Sequence, residues 1–164
     1  MRSNAISIAN YFVGKAVSEQ TNLFQLGLMK RVYITHGFCL AIYDKSALDP
    51  RFDVVEAWKY GPVIPSVYHS FKHHRKDPII EKSVIIDVDI KTYDIEVTTP
   101  ELLDQDVIGI ADVVWDRYAG FTDNQMVELT HRSGTPWSMC YKPGETCEIP
   151  DLYTQAFYKK LIKQ

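Results

Sequence analysis

Residues 22–43 would form a helix with apolar side chains around almost its whole circumference, and this pattern dictates a helical core. The apolar positions are Leu23, Leu26, Leu28, Val32, Tyr33, Phe38, Leu40 and Ala41. A helix that is apolar nearly all round is normally buried on every side. The segment therefore predicts a central helix, in which the charged Lys30 and Arg31 must reach solvent or find polar partners.

Helix start signals recur along the rest of the chain. Asn4 is placed to cap a helix over about residues 5–17, and Thr122 has capping-box spacing to Gln125 for a helix that leads to His131. Proline near a first helical position marks further starts. These starts are Pro65-Ser66, Thr99-Pro100-Glu101, Thr135-Pro136 and Pro150-Asp151. We expect the helix after Glu101 to run until Gly120.

The period of the pattern changes from helical to alternating over residues 86–97. Aliphatic and aromatic residues alternate there with Asp87, Asp89, Asp94 and Glu96. This predicts a two-stranded hairpin with one buried face and one acidic face. Because a lone hairpin is marginal in water, we expect it to pack on helices or to gain a third strand from residues 52–57. The predicted fold class is α+β, mostly α, with a small antiparallel sheet in one domain over residues 1–164.

Composition argues against several classes of protein. A net charge of -3 gives no electrostatic footprint for nucleic acid or anionic lipid. No apolar run approaches the roughly 18 residues of a membrane span, and no signal-peptide pattern is visible. Three scattered cysteines do not resemble a disulfide framework. We therefore expect a cytoplasmic protein without a membrane or nucleic-acid partner.

Residues 52–63 end in a rigid corner that displays aromatic side chains. Trp58 and Tyr60 bracket a lysine, and Gly61-Pro62 follows at once. Glycine admits unusual backbone angles and proline fixes its own, so the pair predicts a turn. Because the segment supplies neither a nucleophile nor a metal-ligand set, it favours recognition or packing over catalysis.

Histidines are the first candidates for chemistry. His69 and His73 are spaced for one helix face, with His74 adjacent. Zinc needs three or four ligands, and no glutamate lies between the two histidines as in a hydrolytic motif. A solvated, histidine-rich helix end is therefore favoured over a metal site.

His131 is the second candidate, because it precedes a Ser-Gly-Thr-Pro turn and Trp137. Its imidazole could act as a proton-transfer group in a pocket. We favour a structural role instead, in which His131 donates a hydrogen bond that ties two helices together and Trp137 fills the core. Cys140 and Cys147 are spaced too widely for a zinc knuckle, and the isolated glycines form no phosphate loop. We predict no catalytic, cofactor-binding or metal-binding residues, and a protein that is not an enzyme.

Four parts of the sequence carry a resemblance: residues 5–12, residues 21–23 with 28–37, Glu56-Ala57-Trp58-Lys59-Tyr60-Gly61-Pro62-Val63 with Val67-Tyr68 and Phe71, and Leu129-Thr130-His131 with Pro136-Trp137. They resemble the Panacea antitoxin domain, the group that includes the SocA-like antitoxins. The motif residues, with a structural or partner-binding role, are Lys30, Tyr33, Gly37, Glu56, Ala57, Trp58, Tyr60, Gly61, Pro62, Val63, Tyr68, Thr130, His131, Pro136 and Trp137. The acidic hairpin and Lys30-Arg31-Val32 depart from the usual pattern.

The resemblance implies a bacterial, phage or prophage antitoxin that needs no cofactor and neutralises a cognate toxin by direct protein contact. An alternative is an adaptor that delivers the toxin to a Clp-type protease. A further alternative is a phage or prophage accessory protein that binds a host factor. The remaining hypothesis is a cryptic metal-dependent hydrolase that uses His69, His73 or His131. We expect the aromatic corner and the His131–Trp137 turn to pack together, and the acidic hairpin to take part in partner choice.

Overall fold

The computed structural model describes residues 4–163 of the chain. This part contains seven α-helices and five short strands. The helices are α1 (Ala5–Ser18), α2 (Gln25–Tyr43), α3 (Pro65–Phe71), α4 (Gln105–Arg117), α5 (Asp123–His131), α6 (Pro136–Cys140) and α7 (Asp151–Ile162). The strands are β1 (Glu56–Trp58), β2 (Gly61–Val63), β3 (Ile85–Val88), β4 (Ile95–Thr98) and β5 (Cys147–Glu148). The fold is mostly α with small antiparallel sheets, as predicted.

Helix α2 lies at the centre, where α1, α3, α4, α5 and α7 all pack against it. Every residue from Gly27 to Gly37 is buried, including Lys30 and Arg31. The predicted central helix is therefore confirmed, and its two charges find partners inside the domain. None of the described helices has both the length and the apolar character needed to cross a membrane.

Most of the predicted helix starts are confirmed, because α3, α6 and α7 begin at Pro65, Pro136 and Asp151 as expected. The capping boxes at Asn4 and Thr122 are both present. The predicted start at Thr99-Pro100-Glu101 is wrong, because α4 begins at Gln105 after the Asp104 side chain caps it. Pro100 lies outside the helices and strands, and its carbonyl oxygen accepts a hydrogen bond from the Asn10 side chain. Helix α4 also ends at Arg117, before Gly120.

The strands form two separate antiparallel sheets. Strand β1 lies between β2 and β5, whereas β3 pairs with β4 alone among the described strands. The idea that residues 52–57 add a third strand to the hairpin is therefore wrong, because Glu56–Trp58 belongs to the other sheet. The predicted hairpin itself is confirmed, with Ile86 opposite Val97 and Val88 opposite Ile95.

The hairpin does not bury its apolar face, which corrects the prediction. Strand β4 is exposed throughout, and of β3 only Ile85 is partly covered. Ile86 and Val97 each keep 60% of their surface exposed. Alternation in the sequence reports that a face is apolar, but it does not report whether anything in the same chain covers that face.

Candidate functional site

The turn between β1 and β2 is the predicted aromatic corner. Lys59 and Tyr60 form its loop, and the flanking Trp58 and Gly61 are register partners. Gly61 has a φ of +107°, and a Cβ added there would lie 3.0 Å from Nζ of Lys30. Glycine is therefore required at this position both for the backbone angle and for the close approach of the lysine.

Lys30 anchors this corner from inside the domain. Its side chain is fully buried, and Nζ donates a 2.8 Å hydrogen bond to the backbone oxygen of Pro62. Burial lowers the pKa of Lys30 to about 7, although the nearby carboxylate of Asp123 acts to raise it. The amine therefore ties α2 to β2 while holding its proton only partly at neutral pH.

Arg31 is held by a second set of partners, which lie at the end of α4. Its Nη2 donates to the backbone oxygen of Tyr118 at 2.9 Å, and its guanidinium lies 5.8 Å from the ring centroid of Trp115. Burial lowers the pKa of Arg31, against the opposing effect of Asp123. Burial also raises the pKa of Asp123, despite a hydrogen bond from the backbone of Gly27. Both buried cations thus donate to backbone oxygens and interact electrostatically with Asp123, whereas Nε of Arg31 is buried without a hydrogen-bond partner.

Trp58 and Trp137 connect the corner to the α5–α6 turn. Trp137 Nε1 donates to the backbone oxygen of Trp58 at 2.6 Å, and Trp58 Nε1 donates to the Glu56 carboxylate at 2.7 Å. The Trp58 ring meets Tyr68 edge-on at a centroid distance of 4.9 Å. Both tryptophans are half-buried against the core. The expected packing of the corner against the His131–Trp137 turn is therefore present.

His131 contributes its ring to the same aromatic cluster. The ring centroid lies 5.2 Å from that of Trp137, which stacks on Tyr141 at 4.6 Å. Its Nδ1 is buried without a hydrogen-bond partner. The expected hydrogen bond between helices is therefore not made by this nitrogen, and His131 joins the elements by ring contact.

Lys30, Tyr33 and Gly37 form one stripe along α2, because their spacing of three and four residues repeats the helical period. The Tyr33 hydroxyl shares a 3.3 Å hydrogen bond with the Thr154 hydroxyl of α7. A Cβ added at Gly37 would lie 2.4 Å from ring atoms of Tyr158. The stripe therefore secures β2 at one end and α7 at the other.

The remaining motif residues are mostly interior. Ala57, Pro62, Val63, Thr130 and Pro136 are buried. Tyr60 is the exposed member, with 56% of its surface accessible. The motif residues thus form a connected packing unit around the corner, and their part in binding a partner remains a prediction.

The largest departure from the expected burial is the β3–β4 hairpin. One face presents the aliphatic side chains that pair across the two strands. These are Ile86, Val88, Ile95 and Val97, with 60%, 53%, 67% and 60% of their surfaces exposed. On the opposite face, Asp87 lies directly across from Glu96. The hairpin combines an uncovered apolar face with an acidic one, and this arrangement suits contact with another macromolecule.

The histidines form a different group from the one that spacing suggested. Helix α3 ends at Phe71, so His69 and His73 do not share one helix face, and His73 lies on a 3-10 turn with His74. His73, His74 and Glu81 bring one potential ligand atom each to within 4.8 Å of one another. Sequence reasoning missed Glu81 because it lies in a loop that only the tertiary structure brings back to the turn.

The cysteines show no sign of activation. Cys39, Cys140 and Cys147 are free thiols. Burial raises the pKa of Cys39 to about 12 and also raises that of Cys140. A nucleophilic cysteine requires the opposite shift, because the thiolate is the reactive form.

Comparison with known proteins gives a consistent result. The sequence model of the family described as "Antitoxin SocA-like, Panacea domain" matches residues 28–138, which include α2 from Leu28 onwards, the aromatic corner and the His131–Trp137 turn. The antitoxin SocA of Caulobacter vibrioides (strain NA1000 / CB15N) is 30% identical over 136 residues, which are 83% of this chain and 69% of that protein. No solved structure matches the chain. The chain therefore belongs to the SocA-like antitoxin family, which is defined by the Panacea domain.

Proposed function

We propose that this protein neutralises a cognate protein toxin by direct contact in the cytoplasm, and that the β3–β4 hairpin forms the contact surface. Membership of the SocA-like antitoxin family supports the antitoxin role. The observation that carries the choice of surface is the exposed apolar face of the hairpin. Such a mechanism needs no catalytic step of its own.

The apolar face supports the proposal because its four aliphatic side chains are contiguous. Ile86 is paired with Val97, and Val88 with Ile95. Contiguous exposed apolar surface, unlike scattered single residues, is typical of protein-binding sites. A two-stranded hairpin is marginally stable alone, so a partner that covered this face would also stabilise the strands.

The acidic face indicates the chemistry of the partner. Asp87 and Glu96 are direct cross-strand neighbours, and like charges in that position destabilise a hairpin. Asp89 and Asp94 continue the acidic surface at the hairpin's end. A toxin with lysine or arginine side chains at its contact surface would relieve this repulsion and be steered towards the hairpin.

Two further features enlarge the available surface. The outer edges of β3 and β4 pair with no other described strand, so their backbone groups can hydrogen-bond to a strand of the toxin. A groove of about 420 Å³ lies at the root of the hairpin and is lined by Ile85, Thr98 and Asn4 among others. Together these surfaces can contribute to a standard interface, which buries roughly 1,600 Å² in total.

The proposal is tested by co-expression with the protein encoded by the adjacent gene. We expect the wild-type chain to restore growth and to co-purify with that protein. The double variant Ile86→Ser/Val97→Ser should lose both effects while remaining folded, because both side chains are already exposed. The matched control is Val113→Ser/Leu152→Ser, which changes residues with 59% and 69% exposure on α4 and α7.

The outcomes separate the possible mechanisms. Equal rescue by the hairpin variant and the control variant would remove the hairpin from the interface. Failure of the wild-type chain to bind the neighbouring protein would contradict the antitoxin proposal for that pair and direct the search to a host factor. Direct contact predicts the same toxin level with or without a Clp-type protease, whereas a protease-dependent fall in toxin level would indicate delivery.

A further inference from the structure

We propose that His73, His74 and Glu81 bind a divalent transition-metal ion, with Zn²⁺ the best match. Their potential ligand atoms lie within 4.8 Å of one another. In a tetrahedral zinc site, bonds of about 2.0–2.1 Å place the ligand atoms roughly 3.4 Å apart. Rotation of the His73 and Glu81 side chains can close this gap because both are exposed, and the His73 ring already lies beside that of His74, with a centroid distance of 4.1 Å.

The ring of His74 provides the second observation. Its Nε2 is buried without a hydrogen-bond partner, although buried polar atoms normally have one. A metal ion bound through this nitrogen would supply that partner.

The loop that carries Glu81 is held in place on both sides. The backbone N–H of Ile79 donates to the oxygen of Leu23 at 2.8 Å. The Ser83 N–H donates to the Asn10 side chain, also at 2.8 Å, and the Asn10 amide donates back to the Ser83 oxygen at 2.9 Å. Glu81 therefore lies between two anchored residues, which limits the entropy lost when its carboxylate binds a metal.

A cavity of about 450 Å³ adjoins the three side chains and leaves space for a water molecule as fourth ligand. Lys82 also lines this cavity. Its side chain extends along α1, where its Cε would lie 3.3 Å from a Cβ added at Gly14, so the ammonium is directed towards that helix. The site lies just before β3, and a bound metal would join the root of the hairpin to the histidine turn.

The test is a calorimetric titration of tag-free, chelator-treated protein with Zn²⁺. We expect saturable binding of one ion, and we expect Glu81→Gln and His74→Ala each to weaken it by at least about tenfold. The matched control is His69→Ala, because His69 lies on α3 outside the cluster. Co²⁺ should give visible absorption bands of a tetrahedral site in the wild type and in the control.

Circular dichroism before each titration separates loss of metal binding from loss of fold. Glu81 is exposed, so Glu81→Gln keeps the test decisive even if His74→Ala unfolds the chain. The proposal is overturned if the wild type shows no saturable binding, or if Glu81→Gln binds Zn²⁺ as tightly as the wild type. Equal weakening by His69→Ala would also overturn it.

Discussion

The indole N–H of Trp137 donates a 2.6 Å hydrogen bond to the backbone oxygen of Trp58, across 79 positions of the sequence. This bond joins α6 to the turn between β1 and β2. The Trp137 ring also stacks on Tyr141. Two short sequence motifs that lie far apart in the chain are thereby fixed against each other.

The substitution Trp137→Phe tests this link. It removes the N–H and leaves the Trp58 oxygen without that partner, so we expect the free energy of unfolding to fall by about 1–2 kcal/mol. Urea denaturation measures the loss. The control is Trp58→Phe, which removes the same indole volume and frees the Glu56 carboxylate, a group that can turn to solvent. A smaller loss is expected for the control, and equal losses would contradict the special role of the Trp137 bond.

Local patterns predicted the helices well where the signal was a side-chain contact within a few residues. The capping boxes at Asn4 and Thr122 satisfy backbone groups three residues away, so the sequence contains the whole interaction. The helix start predicted at Thr99-Pro100 was wrong because the fixed φ of proline suits extended chain as well as a first helical turn. The caps of α4 are instead supplied by Asp104.

Long-range contacts explain what the sequence could not predict about the candidate sites. Lys30 finds the Pro62 oxygen 32 positions away, and nothing in the pattern of α2 indicates that partner. Glu81 meets the histidine turn only because Ile79 and Ser83 are fastened to other elements. The exposure of the hairpin is also a tertiary property, because periodicity shows the two faces but not what covers them.

Gly37 and Gly109 predict opposite results for the same substitution. A Cβ at Gly37 would overlap the buried Tyr158 ring at 2.4 Å, so we expect Gly37→Ala to destabilise the fold by about 1–3 kcal/mol. A Cβ at Gly109 on α4 meets no atom within 4 Å, so Gly109→Ala should stabilise it by about 0.5–1 kcal/mol through helix propensity. Urea or thermal unfolding of both variants checks the signs, and destabilisation by both would contradict this account.

Lys30 predicts a distinct pH dependence of stability. Its pKa falls from 10.5 in the unfolded chain to about 7 in the folded domain. Between these values the unfolded state binds more protons, so stability rises with pH. From pH 7 to about pH 8.5 the wild type should gain on the order of 1–2 kcal/mol relative to Lys30→Met, which lacks the titrating group.

Chemical denaturation of both proteins across this pH window measures the difference. Cys39 has a raised pKa and reduces stability once the pH exceeds its unfolded value of 9.0, but it is present in both proteins and its effect cancels. Lys30→Met also leaves the Pro62 oxygen without its partner. That loss lowers the free energy of unfolding by the same amount at every pH, so it does not change the slope of stability against pH. Parallel curves would show that Lys30 does not titrate in this range.

Asp87 and Glu96 allow hairpin stability to be separated from partner binding, because the two carboxylates are direct cross-strand neighbours. Asp87→Lys replaces their repulsion with attraction, which stabilises such a pair by about 0.2–1 kcal/mol. Amide hydrogen exchange in β3 and β4 should therefore become slower. A toxin with a basic contact surface should bind the variant more weakly, and the difference should shrink at high salt.

The control for this charge reversal is Asp116→Lys, which introduces the same change at an exposed position of α4, outside the hairpin. We expect the control to leave both the exchange rates of the hairpin and the affinity for the toxin unchanged. If Asp87→Lys weakened binding only as much as the control, net charge alone would account for the loss. If it bound the toxin more tightly than the wild type, stiffness of the hairpin would govern recognition, and the acidic face would have no role in choosing the partner.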